Sequence, residues 1–161
     1  MSDDEGRVVK VTTEEGEETE LPYKVAVLSS KIKEIMEDTE EDEAIPLPDI
    51  KKETLDKIVE FANHHLEEPL PQIEKPLKCK RLRDILPDWY GEFITTDDMD
   101  ILYAYFCAGN FLDFKPFVEI TSAQIASLMR GKSLEEVREL LKVEDDFTEE
   151  ERQQIIEENR W

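Results

Sequence analysis

The side chains with chemical capacity in this sequence are two adjacent histidines, His64 and His65, two cysteines, Cys79 and Cys107, and many carboxylates. Adjacent residues on a helix point to different sides, so the two imidazoles cannot share a metal as an i, i+4 pair does. They fall at the end of an apolar-periodic stretch, where a helix dipole favours imidazolium. Cys107 lies in an apolar run, the setting of a buried and inert thiol, and Cys79 has no second cysteine near it. The carboxylates are spread so densely that no pair of them is diagnostic of acid–base work. There is no glycine-rich phosphate loop, no GxSxG and no HExxH, and five glycines leave little material for an active-site loop. These residues point away from catalysis, from a metal and from a cofactor.

The chain has 161 residues, with 41 Asp and Glu against 20 Lys and Arg, a formal charge of −21. That length suits one domain with an extension. The charge repels phosphate backbones and anionic membrane surfaces, which argues against nucleic-acid and membrane partners. It also steers basic partners inward. Two unpaired cysteines fit a reducing compartment, and the acidic start from Met1 to Glu5 is unlike a secretory signal. The longest apolar run, residues 101–108, is far short of the ~20 residues that a membrane span needs. A soluble intracellular protein is expected.

The elements follow from periodicity and turn chemistry. Val8 to Val11 reads as a strand, Glu14 to Glu17 as a turn with Gly16 free to take positive φ, and the residues through Leu21 as the returning strand. Val25, Leu28, Ile32, Ile35 and Met36 repeat at helical steps. The acidic run Glu37 to Glu43 is a solvated loop, and Ile45-Pro46-Leu47-Pro48 can form only a short edge strand. Leu55, Ile58, Val59 and Ala62 mark a helix to about His65. Residues 67–83 break the pattern with Pro69, Pro71 and Pro76 and carry Lys75, Lys78, Lys80, Arg81 and Arg83, so a mobile insertion is expected. The cations of this insertion read as a solvated surface or as a seat for an acidic partner. Trp89 and Phe93 suggest a short helix. Asp97 or Asp98 then caps a helix from Met99 to about Asn110 that is apolar nearly all round, as in a core or between two surfaces. Pro116 suits the first turn of the next helix, whose face is Phe117, Ile120, Thr121, Ile125 and Leu128, and Gly131 ends it.

Two short helices close the chain, each opened by a capping box, Ser133 with Glu136 and Thr148 with Glu151. Residues 134–161 hold 11 acidic and 4 basic side chains, and their apolar residues form narrow stripes. Each cap is worth about 1 kcal/mol, whereas ordering a backbone costs roughly 1–2 kcal/mol per residue. The stripes must pack on something, and this end is expected to order fully only against another chain.

Hairpin, helix, short strand, helix, insertion and helix pair form an α+β order that resembles a BTB/POZ domain, a small sheet clasped by helices, with a two-helix C-terminal extension. Gly131-Lys132-Ser133-Leu134-Glu135-Glu136-Val137-Arg138 is similar to the GK(S/T)PEE(I/V)R segment of the Skp family, adaptors that join F-box proteins to a cullin in SCF-type ubiquitin ligases. Asp146-Phe147-Thr148-Glu149-Glu150-Glu151 resembles its NDFTEEE segment, and Glu158-Asn159-Arg160-Trp161 its ENQW ending. Ile45 to Pro48, the His64-His65 helix end, Trp89 to Phe93 and Ala108 to Asp113 match as well. The resemblance covers essentially the whole chain and implies a BTB/POZ-like domain over 1–130 and an F-box-binding extension over 131–161. It implies a non-catalytic adaptor of the cytoplasm and nucleus, with a weak homodimer when the F-box is absent. Family correspondence assigns the cullin contact to Asn110 and Phe111. It assigns the F-box contact to Leu128, Val137, Leu140, Leu141, Phe147, Ile155, Ile156, Asn159 and Trp161. Phe111 replaces the family's Tyr, Gly109 its Ala and Leu134 its Pro. An elongin C-like adaptor is the alternative of the same fold, but such proteins lack the two final helices. An acidic chaperone for basic proteins is the alternative of another class.

Overall fold

A computed structural model describes residues 6–38 and 43–160. Most of the acidic run before the third strand, and Trp161, lie outside the described residues. The chain divides into two compact units, Met1–Leu128 and Met129–Trp161.

In the first unit, β1 (Val8–Thr12) pairs antiparallel with β2 (Glu18–Pro22), and β3 (Ile45–Pro46) adds in parallel on the other side of β1. The order β2-β1-β3 leaves the proline-bearing strand at an edge, where its missing N–H costs no ladder bond. Gly16 turns the hairpin at φ 77°. Val9, Val11 and Leu21 point into the core while Val8 faces out, the two-residue alternation of a half-buried sheet.

The helical periodicity from Val25 to Met36 is broken in the middle. α1 (Tyr23–Ala26) stops, and α2 (Ser30–Asp38) restarts one turn later. Ser29 is the reason: its hydroxyl accepts the Ile32 N–H at 3.0 Å and donates to the Leu112 carbonyl at 2.5 Å. A buried hydroxyl that caps a helix start competes with continuation of the helix before it. α3 (Lys52–Glu67) has no cap of its own at Lys51. Glu15, from the hairpin turn, accepts the Lys52 N–H at 3.1 Å instead; its carboxyl is held below the usual range first by its own backbone N–H and then by that of Lys52.

Residues 68–81 form neither helix nor strand, yet they are tethered. Ile73 is buried in the core and Leu70 and Leu77 pack against it. One turn of 3₁₀ helix (Leu82–Asp84) leads to α4 (Asp88–Phe93). α5 (Met99–Phe111) starts at Asp98, whose carboxylate accepts the N–H groups of Asp100 and Ile101 at 2.9 and 3.4 Å. It ends with Asp113 in the left-handed region at φ 49° and with the Phe114 N–H on the Gly109 carbonyl at 2.9 Å, a Schellman ending. α6 (Lys115–Met129) takes Pro116 in its first turn and buries Phe117, Ile120 and Thr121. Phe61 of α3 is the hub of the core, its ring centre within 5.6 Å of those of Tyr90, Phe93, Phe114 and Phe117.

The second unit contains α7 (Leu134–Leu141) and α8 (Glu149–Glu158). Both capping boxes form, with the Ser133 and Thr148 hydroxyls accepting the N3 N–H at 3.2 and 3.3 Å and the N3 glutamates reaching back. Arg138 and Arg152 converge on Asp145 at 2.7 and 2.6 Å and so tie the linker to both helices.

Candidate partner-binding faces

α5 offers the first candidate face. One side of the helix is in the core through Leu102, Ala108 and Gly109. The opposite side is apolar and open: Tyr103 is 67% exposed, and Cys107 and Asn110 follow it at four and three residues, all exposed. Phe111 stands at the edge of this stripe, half-buried and packed against the core. Cys107 is therefore not the buried thiol that its apolar neighbours suggest. A helix apolar on both sides is covered on only one of them here. A side-chain hydrogen bond with Cys107 raises the Tyr103 phenol above its ordinary pKa. Ile101 and Tyr103 are exposed apolar side chains of α5 that the sequence reading did not single out. Their signal was the lack of any polar side to the helix.

Gly109 fixes this helix in place. A Cβ there would stand 2.9 Å from Phe117 Cδ1 and 3.1 Å from Val118 Cγ2, so the glycine is what lets α5 approach α6.

α7 and α8 carry the second face. Neither helix buries a residue. Leu134 and Ile156 are 61% and 65% exposed, and Leu141, Val143, Phe147 and Ile155 are exposed too. Val137 and Leu140 are half-covered. Asn159 caps the last turn by donating to the Ile155 carbonyl at 2.8 Å. Leu128, at the end of the first unit, is half-buried against its own core. Covering a Leu, Ile or Phe side chain is worth about 1.5–3 kcal/mol each, so six exposed ones in so short a unit call for an apolar cover.

The histidines are structural. His65 Nδ1 accepts the Leu70 N–H at 3.0 Å. Burial first, and then His64, lower its pKa, so the expected imidazolium at this helix end is not favoured at His65. His64 stacks on Trp89 with ring centres 3.8 Å apart. Tyr90, its phenol pushed up to about 12 by burial and then by Glu68, donates to the Glu68 carbonyl at 2.5 Å. Among the described residues no group of three His, Cys, Asp or Glu is placed to hold a metal ion.

A small sheet clasped by helices, with one apolar face open on α5 and another on α7 and α8, defines a protein-binding module of POZ-like fold. Residues 7–67 match the Skp1 family, tetramerisation domain, and residues 115–161 match the Skp1 family, dimerisation domain. The chain is 37% identical over 153 residues to the S-phase kinase-associated protein 1 homolog of Tetrahymena thermophila, covering 95% of this chain and 92% of that relative. It is 36% identical over 155 residues to the SCF ubiquitin ligase complex protein SKP1a of Dictyostelium discoideum, covering 96% and 94%. It is 31% identical over 154 residues to the E3 ubiquitin ligase complex SCF subunit sconC of Arthroderma otae, covering 95% and 93%. The chain belongs to the Skp1 family.

Proposed function

We propose that this chain is the non-catalytic adaptor subunit of an SCF-type cullin–RING E3 ubiquitin ligase. It holds the N-terminal region of a cullin on one face and an F-box substrate receptor on another. The mechanism is scaffolding: joining the two raises the effective concentration of the recruited substrate at the ligase's catalytic end. The observation that carries this reading is the presence of two exposed apolar faces on separate units, α5 in one and α7 with α8 in the other.

Asn110 and Phe111, with Tyr103 and Cys107 beside them, make the cullin contact. Leu128, Val137, Leu140, Leu141, Phe147, Ile155, Ile156, Asn159 and Trp161 make the F-box contact. The boundary between the two functional parts falls near residue 130. The adaptor works in the cytoplasm and nucleus, binds no nucleic acid, and self-associates weakly when no F-box covers its C-terminal helices. No described helix is long and apolar enough to cross a membrane.

Mixing the protein with an F-box peptide and a cullin N-terminal fragment tests the proposal. Co-elution of all three as one species supports it. Competition, in which each partner displaces the other, contradicts it. An acidic chaperone for basic proteins would instead lose both partners as salt is raised, because charge pairing is screened and apolar burial is not.

A further inference from the structure

We propose that residues 72–86 form a docking groove for a short acidic peptide segment of a partner protein, made of other residues than the two faces above and independent of the adaptor reading. The groove is lined by Gln72, Ile73, Glu74, Lys78, Ile85 and Leu86 and holds a volume of about 260 Å³, room for one or two side chains. Half of its lining residues are apolar: Ile73 and Leu86 are core residues, whereas Ile85 is left 45% exposed.

The charge of the segment that forms the groove is opposite to that of the protein. Residues 72–86 carry five cations and two acids, Glu74 and Asp84, in a molecule of net charge −21. The cations are presented on a fixed strap. Ile73 and Leu82 anchor it in the core, and Lys75 reaches Glu119 of α6 at 3.2 Å. A Cβ on Gly91 would stand 2.7 Å from Arg83 Cα, so α4 seats directly against the 3₁₀ turn.

A carboxylate already occupies the rim. Glu74 meets Lys78 at 2.6 Å, with both side chains about three-quarters exposed, and an exposed pair of this kind contributes little and exchanges readily. Glu74 stands where an incoming carboxylate would. Lys80 and Arg83 have neither an ion pair nor a hydrogen bond among the described residues. Each lies two residues from a groove residue, Lys78 or Ile85, within about 7 Å along the chain.

The apolar part of the lining selects the occupant. A bare anion would meet only the cations, whereas a leucine or isoleucine flanked by glutamates also covers Ile85. Beyond about 8 Å at physiological salt the protein's own acids are screened, so a short peptide feels the strap and not the net charge. A nucleic acid long enough to bind would extend into the surrounding negative field.

The test is fluorescence anisotropy on the full chain with a labelled peptide of glutamates around one central leucine. The expected result is saturable binding that weakens about tenfold or more when Lys78→Glu, Lys80→Glu and Arg83→Glu are combined, as loss of a charge-complementary contact would give. Ile85→Ser, or serine in place of the peptide's leucine, weakens it as well, and a glutamine version of the peptide does not bind. The substituted side chains are all exposed, and unchanged thermal unfolding confirms that the variants fold. The inference is overturned by absent binding or by unchanged affinity in the triple variant. Equal affinity with and without the peptide's leucine, or tighter binding of a single-stranded oligonucleotide, overturns it too.

Discussion

Gly109 and Phe117 stand so close that a β-carbon on the glycine would lie 2.9 Å from Cδ1 of the ring. Phe117 is fully buried and ringed by Phe61, Phe93 and Phe114, so it cannot give way. Helix propensity by itself favours alanine at this position by about 1 kcal/mol. Overpacking costs typically ~1–3 kcal/mol, and here it wins. Gly109→Ala is expected to lower stability by up to about 2 kcal/mol and to shift the helix that bears Tyr103 and Asn110. The urea midpoint checks this, and a higher midpoint would show that the gap is not tight.

That glycine also marks where the sequence stopped being informative. Helices, caps and the hairpin were legible because they are local: Asp98, Ser133 and Thr148 cap their helices through residues three positions on or fewer. A glycine inside a helix read alone is only a cost in helix propensity, because the contact of Gly109 with Phe117 is tertiary. Ser29 split one expected helix into two for the same kind of reason, since its partner Leu112 is 83 residues away. The burial of Ile73 was hidden by prolines that erase any period. Cys107 and Tyr103 show the opposite limit. Apolar content told that α5 has two apolar sides, but not that only one is covered within the chain.

His65 makes a pH prediction. Burial, then His64, hold its pKa below 6.5 in the folded protein, and the neutral ring accepts the Leu70 N–H. The unfolded chain takes up this proton near pH 6.5. Just below that pH the unfolded state binds more protons, so stability is full above about 6.5 and falls as the pH drops below it. Asn at this position keeps an acceptor and loses the titration. Urea midpoints measured from about pH 7 to about pH 5.5 should fall more steeply for the wild type than for His65→Asn. Parallel curves would remove His65 from the account.

The second unit should be loose by itself. With no buried residue in α7 or α8, their backbone bonds open at low cost. Hydrogen exchange in the free protein is expected to be fast over 146–160 and to slow by about tenfold or more once an F-box peptide is bound. Strong protection of these amides in the free monomer would mean that the helices need no partner.

The central claim is that two faces bind two partners separately, and paired binding measurements test it most directly. One variant combines Ile155→Asp with Ile156→Asp, and the other combines Tyr103→Lys with Asn110→Lys, all at exposed positions. Affinity for an F-box peptide and for a cullin N-terminal fragment is measured for each by titration calorimetry. The first variant should lose F-box affinity by about 100-fold, the scale of an interface hot spot, and keep its cullin affinity. The second should do the reverse. Equal losses for both partners in either variant would contradict the two-face adaptor.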